Sequence, residues 1–397
     1  LRAPFQILPL ALAIGAGLAL GLSAPVAAVQ MHFLGEAFIR LLGWVMCPLI
    51  FCMLVDGAAA LGRNRTLGRL GVAMLLYFSA MSVLSMLAGL AAGWVLEPGI
   101  GMASAAGGAA LAGGGTMVLP AWMDYLPPVH VNNLVVLALA LPVGLAAGLW
   151  PRVSVLGPIH AARKMLLAAV RMILWLSPAA AFGAMAAAVG RGGLAALLPL
   201  LRFVVAINLA SVLFILVVFG CVARLVHLSL PRLVVFLRDE LVLVTVTGAT
   251  LAALAPLSDK LARLGCPRRL TDIVLPFSYS LNLAGTYLYI AMALVFLAEA
   301  SSVQVGWHEL AAMLGVGLLS SKSAVGVAGS GFATLAATAA LLHVAPADTV
   351  ALLLAIDRTM KCRLLTNVIG HALACIVLAA SDGTLEREAL REGLARG

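Results

Sequence analysis

Charge is what this sequence most lacks. Charged residues fill 10% of its 397 positions, where a soluble domain carries about 25%. Hydrophobic residues fill 63% and mean hydropathy is +1.11. Such a chain cannot furnish a water-facing shell, so its solvent is the lipid bilayer. Paired cysteines are lacking too. Cys47, Cys52, Cys221, Cys266, Cys362 and Cys375 show neither metal-ligand nor disulfide-framework spacing and read as small core side chains. HExxH, Gly-x-Ser-x-Gly and paired carboxylates within the apolar runs are all missing, which leaves an intramembrane enzyme without support. The apolar runs are far longer than barrel strands and do not alternate, so the backbone must satisfy itself as helix.

What is present is a succession of apolar segments at about 5–28, 36–60, 68–96, 129–150, 159–190 and 196–228, with a last one at about 347–380. A crossing needs roughly 20 such residues. The stretch from Leu1 to Ala28 also resembles a signal peptide, but further spans follow directly, which favours an uncleaved first span. Arg63, Arg65 and Arg69, then Arg152, Arg163 and Lys164, then Arg224, Arg232 and Arg238 occupy alternate connections. Between Leu96 and Pro151 there is no Lys or Arg, only Glu97 and Asp124. The positive-inside rule therefore puts both termini in the cytoplasm and the 97–128 loop outside. The net charge of +9 is a topology signal, and basic residues dispersed among loops argue against nucleic-acid binding.

From about 232 to 342 the pattern is interrupted by Thr247-Gly248-Ala249-Thr250 and Ser320-Ser321-Lys322-Ser323. Segment six and the basic run at Lys260, Arg263, Arg268 and Arg269 both belong to the cytoplasmic side, so about 232–262 must enter and leave by the same face. The same parity argument applies from outside to about 308–342. Two re-entrant hairpins entering from opposite faces predict inverted repeats meeting near the midplane.

Ionisable residues inside apolar segments gather in the last one: Asp357, Arg358, Lys361 and Arg363, followed by Thr366, Asn367 and His371. Charge at membrane depth marks a lined cavity or a pathway. Arg363 and Asn367 are four apart and share a helix face, as do Asn367 and His371. A planar guanidinium matches a carboxylate, and a carboxamide one turn on can hold another oxygen. The bland reading is an internal Arg363–Asp357 ion pair, a snorkelling Lys361 and a hydrogen-bonded helix histidine at His371.

At these residues the sequence resembles the dicarboxylate/amino acid:cation symporters, the family of bacterial C4-dicarboxylate carriers and excitatory amino-acid transporters. The resemblance runs through GEAFIRLLGWVMCPLIF at 35–51, SPAAAFGAMA at 177–186, the stretch 259–300, SSKSAVGVAGSGFATLAAT at 320–338 and IDRTMKCRLLTNVIGHALACIVLAA at 356–380. It implies an all-α polytopic membrane protein with eight transmembrane segments and two re-entrant helical hairpins, working as an elevator-type trimer. Segments one and two (1–67) and four and five (129–195) would form the scaffold. Segment three with its external loop (68–128) and residues 196–397 would form the transport domain. Arg363 would clamp one carboxylate, with Asn367 and Thr286 near the other, and with hairpin tips at Gly248, Ala249 and Thr250 and at Val327 to Gly329. Amino-acid carriers of the family have an Asp three residues before that Arg; Met360 stands there, which favours succinate, fumarate or malate over an amino acid.

The departures concern the coupling ion. Gly248-Ala249-Thr250 replaces a serine triplet, and Ala255 a proline; Ala284 replaces an Asp, and His371 an Asp or Asn. Phe78 and Met81 stand for a Tyr and a Thr, and the Asp357–Arg363 spacing is one residue short, about 100° of helix. Phe78, Met81 and Ala284 offer sodium no side-chain oxygen. The position around Ser278, Asn282, Asn367 and His371 has backbone carbonyls but no carboxylate. A third position, near Ser280, Ser321, Lys322 and Ala324, rests on backbone carbonyls. These departures predict a shift of coupling from Na+ toward H+, with Asp357 or His371 as the titrating group. The expectation is a cation-coupled C4-dicarboxylate symporter of the cell inner membrane, with no cofactor beyond its coupling ion. An acidic amino-acid symporter is the alternative, as is a uniporter, exchanger or sensor that has lost sodium coupling.

Overall fold

A computed structural model of the chain describes residues 4–63, 68–102, 139–140, 142–144, 146–148, 156–303, 305–321, 330–342, 344–357 and 359–396. All regular structure among them is helical. Helices of ten residues or more run in chain order as α1 (Pro4–Ser23), α2 (His32–Arg63), α3 (Gly68–Leu96), α4 (Leu156–Ile173), α5 (Ser177–Gly192), α6 (Leu197–Phe214), α7 (Arg238–Thr247), α8 (Leu254–Arg263), α9 (Arg268–Leu281), α10 (Ala284–Ala300), α11 (Trp307–Ser321), α12 (Ser330–Leu342), α13 (Ala347–Asp357), α14 (Cys362–Ser381) and α15 (Arg387–Arg396). Among the described residues, the helical stretches Leu70–Leu96, Ser177–Leu225, Arg268–Ala300 and Cys362–Ser381 are long and apolar enough to cross a membrane. The second of these is divided by Gly193, at φ 59° and ψ −154°, where the sequence pattern separates the 159–190 and 196–228 runs. The expected loop at 97–128 lies mostly outside the described residues, as does much of the run at 129–150.

Two apolar runs are less continuous than the sequence suggests. The run at 159–190 carries a 3-10 turn at Leu174–Leu176 before Pro178 opens α5, because a proline early in a helix needs no backbone donor. The run at 347–380 is two helices, broken between Asp357 and Cys362. That break makes the site described below.

α10 is the centre of the molecule. Residues 284–298 and Ala300 are all buried, as expected for a helix apolar on every side. α3 lies along it, with α6, α11, α12 and α14 around the rest of its circumference. Lipid tails are as apolar as leucine, so helices in a bilayer need close backbone approach to prefer each other. Gly89 and Gly93, four apart on α3, supply it. A Cβ on Gly89 would run into the Leu288 carbonyl and stand 2.7 Å from Ala291 Cβ, and one on Gly93 would be 2.9 Å from Val295 Cβ. α1, α2, α4 and α5 pack chiefly among themselves, while α13 lies against α2 and α5 and also touches α12 and α10.

Between residues 236 and 260 the chain returns on itself. Lys260 Nζ donates to the Phe236 carbonyl and to Asp239, each at 2.9 Å, and meets Glu240 at 2.8 Å. The reversal is at Gly248, whose left-handed φ of 70° closes α7, a conformation that glycine adopts without a Cβ clash. α15 packs on α8 and on the 230–236 helix, burying Leu390 and Leu394. Its N-terminal side is fixed by the Glu386 N–H, which donates to the Gly265 carbonyl at 3.0 Å.

Gly89→Leu should force α3 off α10, lowering the thermal unfolding midpoint in detergent by an amount equivalent to roughly 1–3 kcal/mol. Val95→Leu, on the same helix and 71% exposed, should leave the midpoint unchanged. Equal midpoints for the two variants would deny the close approach.

Candidate functional site

The site is assembled at two helix breaks. At the first, α13 stops at Asp357 and α14 starts at Cys362, with Thr359 N–H donating to the Ile356 carbonyl and Lys361 N–H to the Thr359 carbonyl, both at 3.0 Å. The chain here is a turn, so helical counting does not apply across it, and the short spacing does not misdirect Asp357. Arg363 donates through Nη1 to Asp357 Oδ1 at 2.6 Å and through Nη2 to Oδ2 at 3.0 Å. Both side chains are buried. The guanidinium carbon lies 4.7 Å from the centre of the Tyr289 ring on α10, a cation–π arrangement. A Cβ on Gly331, at the start of α12, would stand 3.2 Å from Nη1. Arg363 is thus enclosed by α10, α12, α13 and its own helix. The ion pair foreseen as the bland reading exists. Asp357 engages two of the five guanidinium donors, so a further carboxylate meets Arg363 by its remaining donors or by displacing Asp357.

At the second break, Asn282 and Leu283 separate α9 from α10. The first N–H groups of α10 lack intrahelical partners, and Asn367 of α14 caps them from outside. Its Oδ1 accepts from Gly285 N at 2.8 Å and from Thr286 N at 3.3 Å, while its Nδ2 donates to Thr286 Oγ1 at 3.0 Å. Tyr287 Oη donates to the Leu281 carbonyl at 3.1 Å across the same break. Asn367 and Thr286, named from sequence as substrate neighbours, are brought together, and the carboxamide is largely occupied in holding α10.

One turn further along α14, His371 is fully buried. Its Nδ1 lies 2.8 Å from Ser278 Oγ, and its ring stacks on Tyr279 with centroids 4.0 Å apart. Asn282 donates through Nδ2 to Ser278 Oγ at 3.3 Å and to the Gly370 carbonyl at 3.4 Å. Asn282 Oδ1, Tyr279 Oη and His371 Nε2 are buried without a hydrogen-bond partner. Sodium prefers hard oxygen donors, and this cluster presents one orphan carboxamide oxygen and one phenol oxygen beside an imidazole, with no carboxylate. The position of Phe78, Met81 and Ala284, all buried, presents no side-chain oxygen. Ser82 and Ser85 nearby on α3 turn their hydroxyls back onto the Phe78 and Met81 carbonyls. Ser280 is exposed and donates to the Pro276 carbonyl at 3.3 Å, apart from Ser278.

At the tip formed by Gly248, Ala249 and Thr250, Ala249 is extended and Thr250 is buried. Lys361 reaches this tip: a Cβ on Gly248 would stand 3.4 Å from its Nζ. Lys322, Ala324, Val327, Gly329 and Arg358 lie outside the described residues, as does the side chain of Ser321.

Residues 7–381 match the sodium:dicarboxylate symporter family. The chain belongs to that family. It is 38% identical to the C4-dicarboxylate transport proteins of Burkholderia ambifaria (strain MC40-6) and Burkholderia lata, over 97% of this chain and 94% of each relative. It is 37% identical to that of Burkholderia pseudomallei (strain 668), over 96% of this chain and 93% of the relative. This member of the sodium:dicarboxylate symporter family contains two site residues that sequence reasoning passed over, Tyr289 and Tyr279. Tyr289 sits three residues after Thr286 on one face of α10, a spacing that carried the signal. Tyr279 adjoins Ser278 and carried none.

Asn367→Leu leaves two buried N–H groups and a hydroxyl without partners, at about 1–3 kcal/mol for each lost satisfaction. Thr286→Val removes one bond of the set. The unfolding midpoint should fall further for Asn367→Leu than for Thr286→Val, and a wild-type midpoint for Asn367→Leu would show that the cap holds nothing.

Proposed function

We propose that the chain carries a C4-dicarboxylate, of the succinate, fumarate or malate kind, across the cell inner membrane by cation-coupled symport. The observation that carries this reading is the Arg363 guanidinium, buried at the junction of α10, α12, α13 and α14. A buried planar cation at membrane depth suits an anionic carboxylate. The relatives' names agree with this. Met360, 1% exposed, offers no counter-charge for an ammonium group, which disfavours an amino-acid substrate.

In this reading eight spans and two re-entrant hairpins build an elevator, with both termini cytoplasmic and three copies per assembly. The return of the chain at Lys260 supports the first hairpin, and the packing of α11 on α12 supports the second. The mutual packing of α1, α2, α4 and α5 supports a scaffold separate from the helices around α10.

We assign the coupling to protons and the proton to Asp357, because its carboxylate holds the two donors that a substrate carboxylate would take. Among the described residues, the titratable groups facing it are Arg363 and Tyr289. Succinate uptake into proteoliposomes should follow an imposed pH gradient. Uptake that follows sodium and ignores pH would overturn the assignment.

Arg363→Ala alone leaves Asp357 as a lone buried carboxylate, a loss of roughly 3–5 kcal/mol, so a fair test removes both charges. Asp357→Asn/Arg363→Gln should fold and fail to bind succinate. Retained succinate binding by this double variant would make the pair purely structural.

A further inference from the structure

A C4-dicarboxylate brings two negative charges in among buried groups, and each needs a partner there. Arg363 provides for one, with Asp357 already on its fork. Asn367 is uncharged and makes three bonds to the start of α10, so it cannot balance the other. The cation placed for that role is Lys361.

Lys361 is the residue immediately before α14, two positions from Arg363. It is partly buried. Its ammonium stands against Gly248, where a Cβ would be in van der Waals contact with it. The C-terminal end of α7 favours a cation at this place, which explains how the side chain is held there. An ammonium carries three donors on a flexible stem, so a bond to the protein and a bond to a ligand are compatible. We propose that Lys361 is a specificity-determining residue whose ammonium takes the second carboxylate of the substrate, the one remote from Arg363, at the Gly248-Ala249-Thr250 tip. This rests on the dicarboxylate reading above and adds a second anchor to it.

The test compares succinate with monomethyl succinate, of the same chain length with one carboxylate masked, by calorimetric titration of the purified full-length protein in detergent. Lys361→Gln should weaken succinate roughly 10- to 100-fold, the range expected for one charge-assisted hydrogen bond. Monomethyl succinate should change by no more than about twofold, and Lys361→Arg should restore most of the loss. Should the glutamine variant not fold, Lys361→Met provides the same comparison with an uncharged side chain of similar length. If both ligands weaken alike, Lys361 merely braces the hairpin tip, and the anchor is overturned; unchanged succinate binding overturns it too. A wild-type protein that ignores succinate sinks the dicarboxylate reading and the anchor together, an outcome distinct from the other two.

Discussion

A guanidinium and a carboxylate sealed together away from water set the terms for the helices around them. Taking either ion out of water costs several kcal/mol, and only close pairing with further polar contacts offsets it. Arg363 and Asp357 meet that condition because the helix between them is broken. In a continuous helix, residues six apart would point roughly 120° away from each other. The break between Asp357 and Cys362 brings them face to face, and the Tyr289 ring covers the guanidinium from α10. The two-piece form of the last apolar run follows from the pair.

The same logic governs the break between α9 and α10. Backbone donors freed in an apolar interior need partners that water cannot supply. Asn367 provides them from α14, one turn beyond Arg363, and His371 follows after another turn. Arg363, Asn367 and His371 form one stripe at four-residue spacing. It meets in succession an ion partner, a set of helix-start N–H groups and a serine hydroxyl. α14 therefore holds the discontinuous helices in register as well as carrying the candidate binding groups.

Much of this was legible beforehand. Scarcity of charge indicated helices in lipid, the Thr247-Gly248-Ala249-Thr250 cluster flagged the interruption there, and the four-residue spacing placed Arg363, Asn367 and His371 on one face. The break between Asp357 and Cys362 was not legible, because its apolar flanks read as one span and an ion pair closes across it. Nor was the commitment of Asn367, since its partner Thr286 is 81 residues away. Lys361 read as a snorkelling side chain because its neighbour, Gly248, belongs to a distant segment. Local pattern reports which face a residue occupies, whereas its partner is decided by which segments pack together.

The helix after the last span has a mechanical consequence. α15 is seated on the turn at Leu264 and Gly265 so tightly that a Cβ on Gly265 would lie 2.6 Å from the Glu386 carbonyl, and one on Gly393 would lie 2.7 Å from Leu264 Cδ2. The two pieces therefore interlock, and a shift of one along the other would first have to open that contact. The outer side of α15, with Arg387, Glu388, Arg391 and Glu392 exposed, extends the base of the chain reversal at Gly248. A substitution that loosened α15 would therefore be felt at the base of the reversal.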